Sequence, residues 1–199
     1  GAVKTWLPGL IDGTRRLAFA SLEPGRRYAL APELTTARAS NGGWVLDGPK
    51  CVVTGAASAH QLVVSARTPA GTSLLVVDRD APGVTLNPSR TVDGMRVADV
   101  QFKGVQLGAD ALLGAEGQAL PAIEEATDFA TALLCAEAVG AMKSANDATL
   151  DYMKQRKQFG VPIASFQVLQ HRMVEMYITT EQARSMAILA ASKVDKETD

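Results

Sequence analysis

The 199-residue chain is poor in the side chains that most often carry chemistry, with two cysteines and two histidines. Cys51 and Cys135 lie far apart in apolar segments without metal-ligand spacing, so both read as buried free thiols and a reducing cytoplasm is the expected setting. His60 and His171 are too distant in sequence to assemble a triad or a metal constellation, and structural roles are expected for both. Phosphate-cradling glycine motifs are missing, since Gly9-Leu10-Ile11-Asp12-Gly13 has the wrong spacing for a dinucleotide fingerprint. Charge of one sign is missing too. Twenty basic residues balance twenty-one acidic ones, and like charges cluster no further than pairs such as Arg15-Arg16, Arg26-Arg27 and Glu124-Glu125. That balance argues against a nucleic-acid or membrane surface. No uncharged apolar run approaches the roughly twenty residues needed to span a bilayer, and residues 1–10 do not have the layout of a signal peptide.

What is present is 47% hydrophobic and 21% charged, enough to bury a core. Val3, Trp6, Leu7, Leu10 and Ile11 recur at helical spacing from the third residue, with Pro8-Gly9 interrupting them. A start this apolar suggests that the natural N-terminus lies further upstream. From about Leu17 to Leu107 short apolar or alternating runs are separated by turn chemistry, which predicts a compact antiparallel β-domain of six to eight strands. Asn41-Gly42-Gly43 and Asp47-Gly48-Pro49 read as hairpin turns, and Thr68-Pro69-Ala70-Gly71 as the turn between two central strands.

After Gly117 the period changes. Leu120, Ile123, Phe129, Leu133, Ala136, Gly140 and Met142 outline one face of a helix of some thirty-five residues, ended by Gly160-Val161-Pro162. A second long helix follows with Ser165 as its N-cap, before a polar tail from Lys193 to Asp199. Two such helices cannot cover their own apolar stripes, so further helices or another subunit are expected.

Arg156-Lys157-Gln158-Phe159-Gly160-Val161-Pro162-Ile163, followed by Phe166-Gln167 and Gln170, resembles the R-x-x-F-G-x-P…F-Q-x-x-Q motif of acyl-CoA dehydrogenases. In the same order Trp6-Leu7-Pro8, Ala20-Ser21-Leu22-Glu23-Pro24-Gly25, Trp44-Val45-Leu46-Asp47-Gly48-Pro49-Lys50, Val84-Thr85-Leu86 and Leu113-Gly114-Ala115-Glu116-Gly117-Gln118 are similar to further segments of that family. The resemblance covers essentially the whole chain. It implies an α+β fold, with an antiparallel β-barrel or sandwich followed by long antiparallel helices of a bundle. Residues 1–16 would end an N-terminal helical domain, 17–115 would form the middle β-domain, and 116–199 would give the first two C-terminal helices.

The resemblance also implies FAD, an acyl-CoA substrate and an oligomer, homomeric or heteromeric, of dehydrogenase subunits. By carry-over, Arg156, Gln158, Phe159 and Gln167 reach the adenine-pyrophosphate end of a flavin held mainly by an adjacent subunit. A guanidinium suits a pyrophosphate because it presents donors in a fixed planar fork. The bland alternative is a helix-capping arginine and a core phenylalanine. Thr54 would be a flavin contact, or else a solvent-side strand threonine.

Several positions depart from the pattern. The flavin-contacting threonine of the family is Leu22, its G-S-D is Arg26-Arg27-Tyr28, and its flanking tryptophan is Val52. The helical position that carries a catalytic base in some members is Ala130, followed by Thr131. No catalytic residue is therefore assigned. Glu137 is a weak candidate because it falls near the apolar helix face, though pairing with a neighbouring helix explains it as well. The departures all run towards the degenerate subunit of a heteromeric acyl-CoA dehydrogenase. The alternative is a non-catalytic structural protein that keeps the fold and no longer binds flavin.

Overall fold

The computed structural model describes residues 2–195, with side chains from Trp6 onward. The Val3 side chain and the end of the polar tail, 196–199, lie outside the described residues. Contacts divide the chain into two compact units, Gly1–Ile123 and Glu124–Asp199.

The first unit begins with helix α1 (Ala2–Ile11) and continues as eight strands: β1 (Leu17–Ala20), β2 (Thr36–Ser40), β3 (Gly43–Thr54), β4 (Gln61–Thr68), β5 (Gly71–Asp78), β6 (Val84–Arg90), β7 (Arg96–Leu107) and β8 (Leu112–Leu113). They follow the path β6-β7-β3-β2-β4-β5-β8, with β1 added beside β4. Asn41 and Gly42 both have positive φ, which is the two-residue turn whose twist suits a β2–β3 hairpin.

Two features of the sheet correct the sequence reading. The path has two free ends, so the sheet does not close into a barrel. At one end β6 carries Pro88, which lacks a donor, and at the other β8 is only two residues long. The sheet is also not wholly antiparallel, because β1 runs parallel to β4 and a single parallel bridge, Thr36 to Arg67, joins β2 to β4. The core lies between the two halves that this bridge connects. Leu46, Val53, Val100, Phe102 and Val105 come from one half, and Leu62, Val64, Leu75 and Val77 from the other.

The expected turn at Asp47-Gly48-Pro49 is instead a bulge inside the twelve-residue β3. A Cβ on Gly48 would lie 2.5 Å from the Thr35 Cα, and the Asp47 carboxylate accepts the Gly104 N–H at 2.7 Å. The strand runs through because the glycine lets another backbone pass and the aspartate ties the bulge to β7.

The second unit is a helical pair, with α2 (Leu120–Gln155) entering from the end of the first unit, and α3 (Gln167–Val194). Between them a small hairpin pairs β9 (Lys157–Gln158) with β10 (Val161–Pro162). On α3 the covered positions are Leu169, Met173, Met176, Thr180, Ala183, Ala187, Ala190 and Val194, alternating by four and three; on α2 they include Ala132, Val139, Asn146 and Met153, seven apart. This is the 3.5-residue repeat of a coiled-coil seam. In its middle Asn146 donates to the Thr180 hydroxyl at 2.9 Å, and that hydroxyl donates to the Met176 carbonyl.

Three expectations for the helices need correction. Helix α2 stops at Gln155, before Gly160, because the hairpin begins first. Ser165 does not cap α3. It closes a short 3-10 turn by donating to the Pro162 carbonyl, and Phe166 occupies the cap position. Cys135 is exposed and Cys51 only half-buried, since no described element of this chain covers α2 at Cys135.

Candidate functional site

The residues singled out by sequence fall in both units. In the second, Arg156 follows the last turn of α2, and its carbonyl accepts the Ile163 N–H at 2.8 Å, which fixes the base of the hairpin. Phe159 and Gly160 form the tip, with φ of 53° and 83°. A positive φ is uncommon for a phenylalanine and is the geometry that a tight hairpin demands. The result is an aromatic ring that is 91% exposed and steadied only by an edge-on contact with Phe166, at 6.2 Å between centroids.

The structure thus brings Arg156, Gln158, Phe159 and Gln167 into one short connector, all exposed. The Arg156 guanidinium makes no hydrogen bond or ion pair among the described residues, so it does not cap α2. Phe159 is no core residue. Both observations count against the bland reading of this motif.

In the first unit, Thr54 ends β3 with its side chain exposed. Two residues earlier Val52 has φ 51°, a genuine outlier for a β-branched residue, at the second bulge of β3. The Asp99 carboxylate accepts the Val52 N–H at 3.0 Å, which holds the bulge. The Cys51 N–H donates to the Leu22 carbonyl at 2.9 Å, so the strand ends bearing Leu22 and Val52 lie side by side with both aliphatic side chains partly exposed. Beyond Leu22, Arg26 pairs with Glu33 and the Arg27 guanidinium lies 5.9 Å from the Tyr28 ring, which is itself exposed at positive φ.

Beneath Leu22 is a group whose role the sequence reading missed. Glu23 is buried, and its carboxylate accepts the N–H groups of Glu33, Leu34 and Thr35 at 2.7–2.8 Å. Lys50, fully buried, gives its three donors to Glu23, the Ser21 carbonyl and the Ser65 hydroxyl. Burial works against ionising Glu23, but the three N–H donors and the ammonium outweigh it and hold its pKa at about 2. Burial also pushes Lys50 below the ordinary lysine value, against the pull of Glu23. The only signal in the sequence was a glutamate and a lysine inside otherwise apolar runs.

The base candidates fare differently. Ala130, Thr131 and Glu137 are all exposed on α2, so the burial expected for Glu137 is not realised within this chain. His60 is structural, its Nδ1 accepting the Arg16 N–H at 3.0 Å, and His171 is exposed. No helix among the described residues is long and apolar enough to cross a membrane.

Comparison with known proteins matches residues 18–105 to the family description "Acyl-CoA dehydrogenase, middle domain" and residues 117–199 to "Acyl-CoA dehydrogenase, C-terminal domain". The acyl-CoA dehydrogenase FadE12 of Mycobacterium tuberculosis is 33% identical over 98% of this chain and 53% of its own length. Among solved structures, a steroid acyl-CoA dehydrogenase named Tcur3481-Tcur3483 is 33% identical with a TM-score of 0.81, covering 98% of this chain and 52% of that one. A glutaryl-CoA dehydrogenase from Mycobacterium smegmatis, in complex with FADH2, is 26% identical with a TM-score of 0.86, covering 98% of this chain and 52% of that one. The chain spans about half the length of the curated relatives it matches.

Proposed function

The chain belongs to the acyl-CoA dehydrogenase family, and from that premise we propose that it serves FAD-dependent α,β-dehydrogenation of an acyl-CoA thioester as a subunit that completes a flavin site with a partner. The observation that carries this reading is the connector after α2, where an unpaired guanidinium and a projecting aromatic ring await a group from outside. FAD, when bound, supplies the two-electron acceptor. Arg156 would hold its pyrophosphate through a planar pair of donors, with the Gln158 and Gln167 amides and the Phe159 ring beside it. The Thr54 hydroxyl would meet the flavin edge.

The chain's own residues do less than a self-sufficient enzyme requires. Alkyl groups stand at Leu22 and Val52, and Ala130 and Thr131 carry no group able to take a proton. Glu137 is exposed, so its carboxylate lacks the burial that would match it to a weakly acidic carbon. Proton abstraction is therefore assigned to a carboxylate outside this chain. The steroid relative, whose name joins two components, supports a heteromeric arrangement.

The test is the visible absorption of the purified protein, alone and after co-expression with a catalytic dehydrogenase subunit. Flavin bands between about 350 and 500 nm only in the co-expressed complex are expected. Bands in the protein alone would favour a self-sufficient enzyme. Bands in neither would leave a structural protein with an acyl-CoA dehydrogenase fold. Within the complex, Arg156→Ala should lower flavin retention by about tenfold, the order expected for one charge-assisted contact.

A further inference from the structure

We infer that the free end of the β6–β7 hairpin docks onto a second copy of this chain, at the acidic start of α2. One face of this hairpin is a ladder of directly opposed pairs: Val84 with Phe102, Leu86 with Val100, Pro88 with Ala98, and then Arg90 with Arg96. Three apolar rungs end in a rung of two like charges. Residues directly opposite on paired strands have Cβ atoms about 5 Å apart, and like charges there destabilise the pair. Both arginines are exposed, and neither side chain has a hydrogen bond or ion pair among the described residues.

The turn offers no relief. Asp93, the nearest acid in sequence, accepts from the Thr91 hydroxyl and the Met95 N–H. Beyond it Val92 is fully exposed, and Met95 is half exposed. A free anion would satisfy the arginines and leave Val92 and Met95 without partners. A protein surface with carboxylates beside apolar side chains would satisfy all four, and arginine and methionine are enriched at such interfaces.

This chain carries the complement. Glu124, Glu125 and Asp128 are exposed on the first turns of α2, without ion pairs among the described residues, next to the exposed Phe129 and Leu133. On a chain of net charge −1, an unpaired basic patch and an unpaired acidic patch, each flanked by apolar groups, make two copies complementary to one another. This inference is independent of flavin.

Sedimentation equilibrium of the whole chain tests it. Association is expected at low salt and should weaken as salt rises. R90E/R96E and E124K/E125K/D128K should each weaken it at least tenfold, and an equimolar mixture of the two variants should recover it. Val92→Asp, at a fully exposed position, should weaken association without moving the melting temperature. A wild type that stays monomeric at all concentrations, variants that associate like wild type, or a mixture that recovers nothing would overturn the proposal.

Discussion

The two units of the chain settle their polar and apolar groups in opposite ways. The first buries an ion pair and satisfies it completely, with Glu23 taking three backbone donors and Lys50 giving three hydrogen bonds. The second covers one seam between α2 and α3 and leaves Leu134, Tyr177, Met186 and Ile188 about two-thirds exposed. The β-unit is finished by its own sequence, whereas the helical unit presents faces that make sense only in an assembly.

The largest expected effect tests the finished unit. Lys50→Met removes one member of a buried pair and should cost about 3–5 kcal/mol in urea denaturation, because the carboxylate stays buried without its counter-charge. The same pair sets an acid limit. The folded Glu23 pKa of about 2 lies below the ordinary 4.5, so its stabilisation is whole above pH 4.5 and is lost as pH falls from there towards 2, as a pH series of melting temperatures would record.

Next in size, Gly117→Ala would set a Cβ 2.3 Å from the Ala70 carbonyl at a φ of 76°. A loss of about 2–3 kcal/mol is expected, read from the same denaturation curve. In the seam of the helical unit, Asn146→Leu or Thr180→Val alone should cost about 1–2 kcal/mol, and the double variant less than the sum, because an unpaired polar group costs more than an absent pair. Val52→Gly relieves a positive φ and should raise stability by about 0.5–1 kcal/mol in thermal melts.

The smallest effect sharpens the contrast most. Ile188→Lys should change the stability of the isolated chain by less than about 0.5 kcal/mol, while lowering the mass of its assembly in light scattering. A loss as large as that of Lys50→Met would mean that the helical unit is as self-contained as the β-unit.

Local features of this fold were legible in sequence. The change of period after Gly117 marks α2, and Asn41-Gly42 marks the β2–β3 hairpin, because both are written in neighbouring residues. The parallel pairing of β1 with β4 joins segments about forty residues apart and leaves no local trace. Asp47-Gly48-Pro49 has the composition of a turn, yet it forms a bulge because its partner, Gly104, lies far along the chain. At the candidate site, the motif from Arg156 to Gln167 could be picked out by resemblance, but the exposure of Phe159 could not, since its apolar character alone argues for burial. Glu23 and Lys50 belonged to separate motifs whose meeting required the fold.

The turn that presents Phe159 also bears on kinetics. Because Phe159 and Gly160 are locked into a two-residue reversal when the chain folds, the ring loses its freedom before any encounter rather than during it. A partner approaching this tip meets one conformation instead of many, so a looser tip made by lengthening the turn should slow capture more than it hastens release.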